Sequence, residues 1–145
     1  MENIDSVLEY CFHESTLMNM YLDSDIFHFR FALPKIVPWY NDLPQLNDRE
    51  NCCLVVDVIC KKCKVKDILF EDTDVNFQNI DVVNFKIDKD NNAYIFLEDC
   101  YNYFLVFTCE SYEVKEVGII DYDIITSKVS DENYYKWYKL PYSRG

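Results

Sequence analysis

Glycine is almost missing from this chain of 145 residues, in which only Gly118 and Gly145 occur. Phosphate-binding loops need closely spaced glycines so that the backbone can approach the phosphates. Two glycines so far apart therefore exclude nucleotide chemistry that depends on such a loop. Only four prolines occur, so asparagine and aspartate, which tolerate left-handed backbone conformations, are expected to form most turns.

Histidine and long apolar runs are equally scarce. Neither His13 nor His28 is accompanied by the nucleophile and orienting group of a catalytic site, so both are expected at the surface or at strand ends, and no catalytic residue is predicted. No run approaches the roughly 18 to 20 apolar residues of a membrane span. The start of the chain lacks the basic region and apolar core of a signal peptide. A cytoplasmic protein that does not contact membranes is expected.

Negative charge, by contrast, is in excess. The chain has 26 acidic and 14 basic residues, a formal net charge of −12. Such a field disfavours direct binding to nucleic acid and attracts a basic protein partner. The alternative is that the charge only keeps an aromatic-rich β protein soluble and its sheet edges apart. Composition alone leaves both interpretations open.

Aromatic residues make up 17% of the chain and favour a mainly β domain. Ile26 to Leu33 alternates apolar and polar residues, which predicts a half-buried strand. Val82 to Glu110 contains three apolar runs separated by polar turns, the pattern of an antiparallel meander. We predict one domain over 1–145, mainly β in the α+β class. Its architecture is expected to be a single antiparallel sheet or a two-layer β-sandwich, with short N-terminal and C-terminal helices.

The remaining elements follow from similar patterns. Thr16 to Leu22 is predicted to form a hairpin with the strand that begins at Ile26. Cys52 to Cys60 is typical of a buried strand, and Val65 to Phe70 is predicted to return beside it after a lysine-rich hairpin turn. The other predicted elements are a loop at Pro34–Asn51, a helical turn at Val75–Asp81, a strand at Tyr112–Ile120 and a terminal helix capped near Ser130. Asn3–Cys11 is predicted to form a short helix, with a first strand as the alternative.

The chain contains seven cysteines, an odd number, and without a signal peptide they are expected to be reduced and buried. Cys60 and Cys63 have the spacing of a metal-binding knuckle. The second pair, Cys52 and Cys53, is adjacent rather than spaced, and no histidine lies near, so no metal is predicted. Lysines beside Cys63 are expected to lower a thiol pKa, which leaves sensitivity to oxidation open.

Asp88 to Asn92 resembles the start of a calcium-binding loop. Ala93 stands where such a loop needs glycine, and the flanking residues are strand-like. A hairpin turn with left-handed asparagine explains the same residues, so no cofactor is predicted. Because successive hairpin turns alternate, this turn and the one at Glu98–Asp99 are expected at opposite ends of the sheet.

Two kinds of residue are candidates for contact with a partner. Trp39 and Tyr40 lie beside prolines in a long loop, and aromatic residues are enriched among interface anchors. The alternative is that Trp39 caps one end of the core. Carboxylates cluster in three breaks between strands, and they would form an acidic rim if those breaks meet at one end of the sheet. The acidic candidates are Glu71, Asp72, Asp74, Glu98, Asp99, Asp121 and Asp123.

The element Phe12-His13-Glu14-Ser15, followed by a two-strand alternation that ends near Leu33, resembles the start of small bacterial immunity proteins associated with polymorphic toxins. The resemblance covers about twenty residues and implies a cytoplasmic protein that binds and blocks a cognate toxin. It implies no catalytic residues. From the residues alone, His13 and Glu14 are explained equally well by hydrogen bonds at the start of a strand.

We therefore expect a non-enzymatic acidic protein that inhibits a basic partner, such as a nucleic-acid-acting toxin. A phage-type inhibitor of a host defence nuclease complex belongs to the same physical class. A small enzyme that uses a thiol or carboxylates near His13 is the alternative from a different class. The sequence leaves the identity of the partner and the oligomeric state open.

Overall fold

The computed structural model describes residues 10–35, 43–47, 49–68, 79–98, 104–127 and 130–139. These residues form a mainly β structure, as predicted, with one antiparallel sheet in the strand order β4-β7-β6-β5-β1-β2-β3-β8. The strands are β1 Thr16–Asp23, β2 Ile26–Pro34, β3 Cys52–Lys61, β4 Lys64–Ile68, β5 Ile80–Ile87, β6 Asn92–Leu97, β7 Leu105–Thr108 and β8 Ser111–Asp121.

The first hairpin and the meander are confirmed. β1 pairs with β2 across a turn in which Ser24 has a φ of 52°, and β6 pairs with both β5 and β7. In the β5–β6 turn, the Asp88 carboxylate accepts hydrogen bonds from the backbone N–H groups of Asp90 and Asn92, each at 2.9 Å. Asn91 takes the left-handed conformation there, with a φ of 61°. This turn is the predicted hairpin.

The predicted hairpin between β3 and β4 is wrong. β4 pairs with β7 and not with β3, although Lys62 has the positive φ of 54° that is typical of a turn. Lys61 pairs with Ser111, and Lys64 pairs with Thr108, so the ladder between β3 and β8 continues in step between β4 and β7. The chain bends at this corner, so that β3 and β8 lie at one edge of the strand order and β4 and β7 lie at the other edge.

The two halves of the sheet enclose the core between them. Phe27, Phe29, Phe31 and Leu33 of β2 point to one face, as the alternation predicted, and all four are buried. The Phe29 ring contacts Phe85 of β5, with centroids 5.2 Å apart, and Phe107 of β7, at 6.0 Å. Aromatic contacts of this kind join the half that contains β1, β2, β3 and β8 to the half that contains β4 to β7.

The C-terminal segment covers the outer face of the first half. It contains α1 at Tyr122–Thr126, α2 at Asp131–Asn133 and a π-helical turn at Tyr134–Tyr138. The predicted cap is confirmed, because the Ser130 hydroxyl accepts a hydrogen bond from the Asn133 N–H at 3.3 Å. Trp137 and Tyr138 are buried against Met18, Ala32 and Val55.

His28 was expected at the surface, and this expectation is wrong. The residue is only 1% exposed and lies on β2, where its Nε2 is 3.1 Å from the Asp57 carboxylate. Arg30 and Asp57 lie beside it on the same face and are buried too.

Several expectations concern residues outside the described ranges. The N-terminal helix at Asn3–Cys11 lies almost wholly outside them, and so does most of the helical turn at Val75–Asp81, although its last two residues begin β5. Of the loop at Pro34–Asn51, the described part includes a 3-10 turn at Pro44–Leu46, which buries Leu43 and Leu46.

Candidate functional site

The candidate site lies at the end of the sheet where β1, β3 and β5 begin and where β6 and β8 end. β1 and β5 meet there through their first residues, since Thr16 pairs with Asp81. The start of β3 pairs with the end of β8 at the same end, through Cys52 and Asp121. The Glu98 N–H, just after β6, donates to the Asp81 carbonyl oxygen at 3.0 Å. Side chains that lie far apart in the sequence therefore share this end.

Three of the predicted contact residues lie at this end. Glu98, Asp121 and Asp123 are all exposed there, and Glu98 lies opposite to the Asp88–Asn92 turn along β6, as expected. The remaining candidates lie outside the described residues: Trp39, Tyr40, Glu71, Asp72, Asp74 and Asp99. The structure therefore brings together every acidic candidate that it describes.

The structure adds two carboxylates that were not predicted. Glu14 precedes β1, Asp81 belongs to β5, and both are exposed. Together with Glu98 they line a cleft of about 460 Å³, whose other walls include His13 and Tyr122. The sequence signal for Asp81 was weak because it stands alone between apolar residues. Its position beside Glu98 depends on the pairing of β5 with β6.

Tyr122 is the aromatic residue that sequence reasoning missed at this end. It is 44% exposed and lines both the cleft with Glu14 and a second cleft of about 390 Å³ that contains Arg49 and Glu50. Its place between two aspartates in the sequence was the available signal. We call the surface formed by Glu14, Asp81, Glu98, Asp121, Tyr122 and Asp123 the acidic end.

Backbone and side-chain hydrogen bonds hold the acidic end in place. The Tyr122 N–H donates to the Asn51 carbonyl oxygen at 2.8 Å, and the Asn51 side-chain amide donates to the Asp123 carboxylate at 3.3 Å. The Cys52 thiol donates to the Asp121 carboxylate at 3.3 Å. Asn79, just before β5, donates to the Ile125 carbonyl oxygen of α1 at 2.9 Å. These contacts join α1 to the first residues of β3 and β5.

The Phe12-His13-Glu14-Ser15 element forms the turn that leads into β1. Phe12 is 1% exposed, and its ring packs edge-on against Phe31 and Phe85. The Ser15 hydroxyl donates to the Phe12 carbonyl oxygen at 2.6 Å, and the Glu14 N–H donates to the Val82 carbonyl oxygen at 2.9 Å. The element therefore has a structural explanation, because it ties the start of β1 to β5.

His13 lies in the cleft with its ring held by the backbone. Its Nδ1 hydrogen bonds with the Val83 carbonyl oxygen, so Nδ1 carries the proton, because a carbonyl oxygen only accepts. The other ring nitrogen, Nε2, lies 3.8 Å from the Glu14 carboxylate. Such a pair can attract a cation or pass a proton, and the cleft is open to solvent at both groups.

The cysteines near the acidic end are protected from ionisation. Burial, followed by the Asp121 carboxylate, raises the pKa of the Cys52 thiol. Burial raises the pKa of Cys53 to about 11, with a smaller contribution from Cys52. Thiols of this kind are poor nucleophiles at neutral pH, since the thiolate is the reactive form.

A buried ionic network supports the sheet behind this end. The Asp57 carboxylate accepts hydrogen bonds from Arg30 Nε at 2.7 Å, Arg30 Nη2 at 2.8 Å and His28 Nε2 at 3.1 Å. Arg30 Nη1 donates to the Trp137 carbonyl oxygen at 2.9 Å. Burial by itself would raise the pKa of Asp57, but the hydrogen bonds from Arg30 and His28 outweigh burial and lower it. The network fastens the C-terminal segment to β2 and β3.

The basic cluster lies at the other end of the molecule. Lys61, Lys62 and Lys64 surround the corner where β3 passes into β4, and all three are exposed. Acidic residues lie at this end too, since Lys62 pairs with Glu110 at 3.4 Å. β4 is an outer strand, and lysines on such a strand disfavour edge-to-edge association.

Comparisons with known proteins add no relatives, because no family model, curated protein or solved structure matches this chain. Within the described ranges, no cluster of three or more histidine, cysteine, aspartate or glutamate residues has a geometry that could hold a metal ion. None of the helices in those ranges is long and apolar enough to cross a membrane.

Proposed function

We propose that this protein is a non-enzymatic binding protein whose acidic end occupies the active or nucleic-acid-binding surface of a basic protein. The observation that carries the proposal is the meeting of five exposed carboxylates from separate parts of the chain around one exposed tyrosine. The partner class that fits is a nucleic-acid-acting toxin, which the protein would inhibit as an immunity protein.

Inhibition follows from the charges. Enzymes that act on nucleic acids bind phosphates with arginine and lysine side chains. Carboxylates on a folded surface can take the positions of those phosphates, and a net charge of −12 accelerates the encounter with a basic partner. Tyr122, bracketed by Asp121 and Asp123, supplies an amphipathic ring of the kind that anchors interfaces.

The scaffold favours tight binding because it is ordered before the partner arrives. Glu14 and Asp81 are held through backbone hydrogen bonds between β1 and β5, and the Glu98 N–H is bonded to Asp81. Little backbone conformational entropy is then lost when these residues meet the partner.

The immunity form of the proposal rests on the resemblance carried by Phe12 to Ser15. A phage-type inhibitor of a host defence nuclease complex would use the same surface and the same physics. The two forms differ in their partner. A gene for a large basic toxin beside the gene for this chain would favour immunity, and a phage genome around it would favour inhibition of a defence complex.

The test uses a matched pair of double variants. Asp81→Asn/Glu98→Gln removes two charges from the acidic end, and Asp23→Asn/Asp90→Asn removes two exposed charges from turns at the opposite end. Each protein is immobilised and exposed to lysate of the native cell at low salt, and retained proteins are identified by mass spectrometry. A basic nucleic-acid-acting protein should be retained by the wild type and by the opposite-end variant, and lost from the acidic-end variant.

The captured protein is then assayed for nucleic-acid cleavage with and without each variant. Inhibition by the wild type and not by Asp81→Asn/Glu98→Gln supports the proposal. Retention of the same protein by both variants, or retention without inhibition, contradicts it.

A carboxylate-dependent enzyme is the second candidate. The observation in its favour is the position of His13 Nε2 3.8 Å from Glu14 in a cleft shared with Asp81 and Glu98. Paired acidic and basic groups of this kind can perform general acid–base catalysis. Turnover of a phosphodiester, ester or glycoside substrate that is lost in Glu14→Gln would support this candidate against the binding proposal.

A further inference from the structure

Three cysteines meet at the corner where the ladder folds over. Cys60 ends the buried part of β3, Cys63 follows it at the bend, and Cys109 stands between β7 and β8. Because Lys61 pairs with Ser111 and Lys64 with Thr108, the bend brings Cys63 and Cys109 opposite each other. The three residues are 0%, 7% and 6% exposed. We call Cys60, Cys63 and Cys109 the thiol corner.

Backbone hydrogen bonds fix the thiol corner from both sides. The Cys63 N–H donates to the Asp25 carbonyl oxygen at 2.8 Å, and the Cys109 N–H donates to the Asn91 carbonyl oxygen at 3.1 Å. Glu110, next to Cys109, is bonded through its N–H to the Lys61 carbonyl oxygen at 3.0 Å. The two segments that carry the thiols are therefore held together without a covalent bond.

The thiols are not equivalent. Cys60 hydrogen bonds with both Cys109 and Cys63, and these bonds, together with burial, raise the pKa of Cys60. The hydrogen bond from Cys60 lowers the pKa of Cys109 against the opposing effect of burial. Cys60 is thus the donor that keeps its proton, and Cys109 is the acceptor that ionises first. A thiolate beside a protonated thiol is the arrangement that reacts readily with an oxidant.

We propose that the thiol corner is a peroxide-sensitive site at which Cys109 and Cys60 form a reversible disulfide. Hydrogen peroxide, the oxidant, gives one oxygen to the Cys109 thiolate, which becomes a sulfenic acid as the O–O bond breaks and hydroxide leaves. The Cys60 sulfur then attacks the Cys109 sulfur, and the hydroxyl group departs as water with the Cys60 proton. In total, two thiols and one peroxide yield one disulfide and two waters.

Small size and selective ionisation favour peroxide as the oxidant. An exposure of 6% at Cys109 admits a molecule of two heavy atoms more easily than a bulky disulfide reagent. Cys53 provides an internal comparison, since it is 2% exposed and its pKa is raised to about 11. The site lies at the opposite end from the acidic end, so the inference does not depend on the proposed function.

The experiment follows the native chain. The reduced protein is treated with hydrogen peroxide for increasing times, unfolded in the presence of iodoacetamide, digested and mapped by mass spectrometry without reduction. We expect a cross-linked peptide that joins Cys60 to Cys109, formed at least about tenfold faster than any oxidation of Cys53. Dithiothreitol should reverse the cross-link. Oxidation of Cys109 no faster than that of Cys53, or a disulfide that joins Cys63 to either partner instead, would overturn the proposal.

Variants give a second readout. Cys109→Ser should abolish the cross-link, Cys60→Ser should trap Cys109 as a sulfenic acid that reacts with dimedone, and Cys63→Ser should leave the cross-link in place. Cys11→Ser is the control outside the thiol corner. If a variant fails to fold, the peptide map of the peroxide-treated wild-type protein shows by itself which cysteines are joined. A Cys60→Ser protein that folds but gives no dimedone adduct contradicts the assignment of Cys109 as the reacting thiol.

Discussion

Removal of the Asp57 charge is expected to destabilise the fold strongly, because it leaves a buried cation without its counter-ion. In Asp57→Asn the side chain keeps its shape but can no longer balance Arg30, which is only 8% exposed. Two hydrogen bonds from Arg30, at 2.7 and 2.8 Å, lose their charged acceptor. The structure offers Arg30 no other short contact with a carboxylate among the described residues.

The expected loss of unfolding free energy is about 3 to 5 kcal/mol, the range for breaking one side of a buried ion pair. A domain is usually stable by only about 5 to 15 kcal/mol, so the variant should remain folded but marginal. Replacement of both partners, as in Arg30→Met/Asp57→Leu, removes the unpaired charge. It still leaves the Trp137 carbonyl oxygen without the Arg30 donor and His28 Nε2 without its acceptor, and each unpaired group costs about 1 to 3 kcal/mol.

The assay is equilibrium unfolding in urea, followed by tryptophan fluorescence, since Trp137 lies directly on the network. A loss of about 4 kcal/mol shifts the midpoint by roughly 2 M urea for a domain of this size. The double variant should lose less than the sum of the losses in the two single variants, Arg30→Met and Asp57→Leu. A loss below about 1 kcal/mol in Asp57→Asn, or a double variant as unstable as the sum of the single variants, would refute the role given to the pair.

Two further predictions follow from the core and the network. The pKa of Asp57 is lowered in the folded state, so its contribution to stability is present above the unfolded pKa of about 3.9 and is lost as the pH falls through the folded pKa. The unfolding free energy measured in urea should therefore decrease below about pH 5. The decrease should be less steep in Asp57→Asn. An equally steep fall in that variant would exclude Asp57 as a source. Phe85→Ala should lower the free energy of unfolding in urea by about 3 to 5 kcal/mol, because loss of a ring that is 1% exposed and contacts Phe12, Phe29 and Phe31 leaves a cavity. Val65→Ala is the control. Val65 lies on the outer strand β4 and is 47% exposed, so this change should alter the free energy of unfolding by less than about 0.5 kcal/mol.

Local patterns determined the parts of the fold that the sequence predicted correctly. The alternation in β2 required one face of phenylalanines to be buried, and the Asp88–Asn92 run required a turn whose asparagine accepts a positive φ. Both signals depend on neighbours in the chain, so both can be read without knowledge of the tertiary structure.

The errors concern contacts between distant segments. A polar run with a positive φ at Lys62 is compatible with a hairpin and with a fold-over, and only the pairing of β4 with β7 distinguishes them. His28 stands on the face that alternation marks as polar, but that face is buried as well. Arg30, beside it, bonds to the distant Trp137 carbonyl oxygen. Cys109 was not linked to Cys60 because nearly fifty residues separate them.

The candidate surface was predicted in part for the same reason. Carboxylates in the breaks between strands could be identified from the sequence, and Glu98, Asp121 and Asp123 lie at one end as the acidic rim required. Glu14 and Asp81 were missed because they join the others only through the pairing of β1 with β5. Tyr122 was visible between two aspartates, but its exposure depends on where α1 begins.

The central claim is that the acidic end binds a basic partner through its carboxylates. It is tested most directly by calorimetric titration of the captured basic protein with the wild type, Asp81→Asn/Glu98→Gln and Asp23→Asn/Asp90→Asn at low and high salt. Close charge pairs across an interface contribute about 1.5 kcal/mol or more each, so the acidic-end variant should bind at least about a hundredfold more weakly, and salt should weaken the wild type most. Equal affinity of the two variants, or affinity that salt does not change, would contradict the claim.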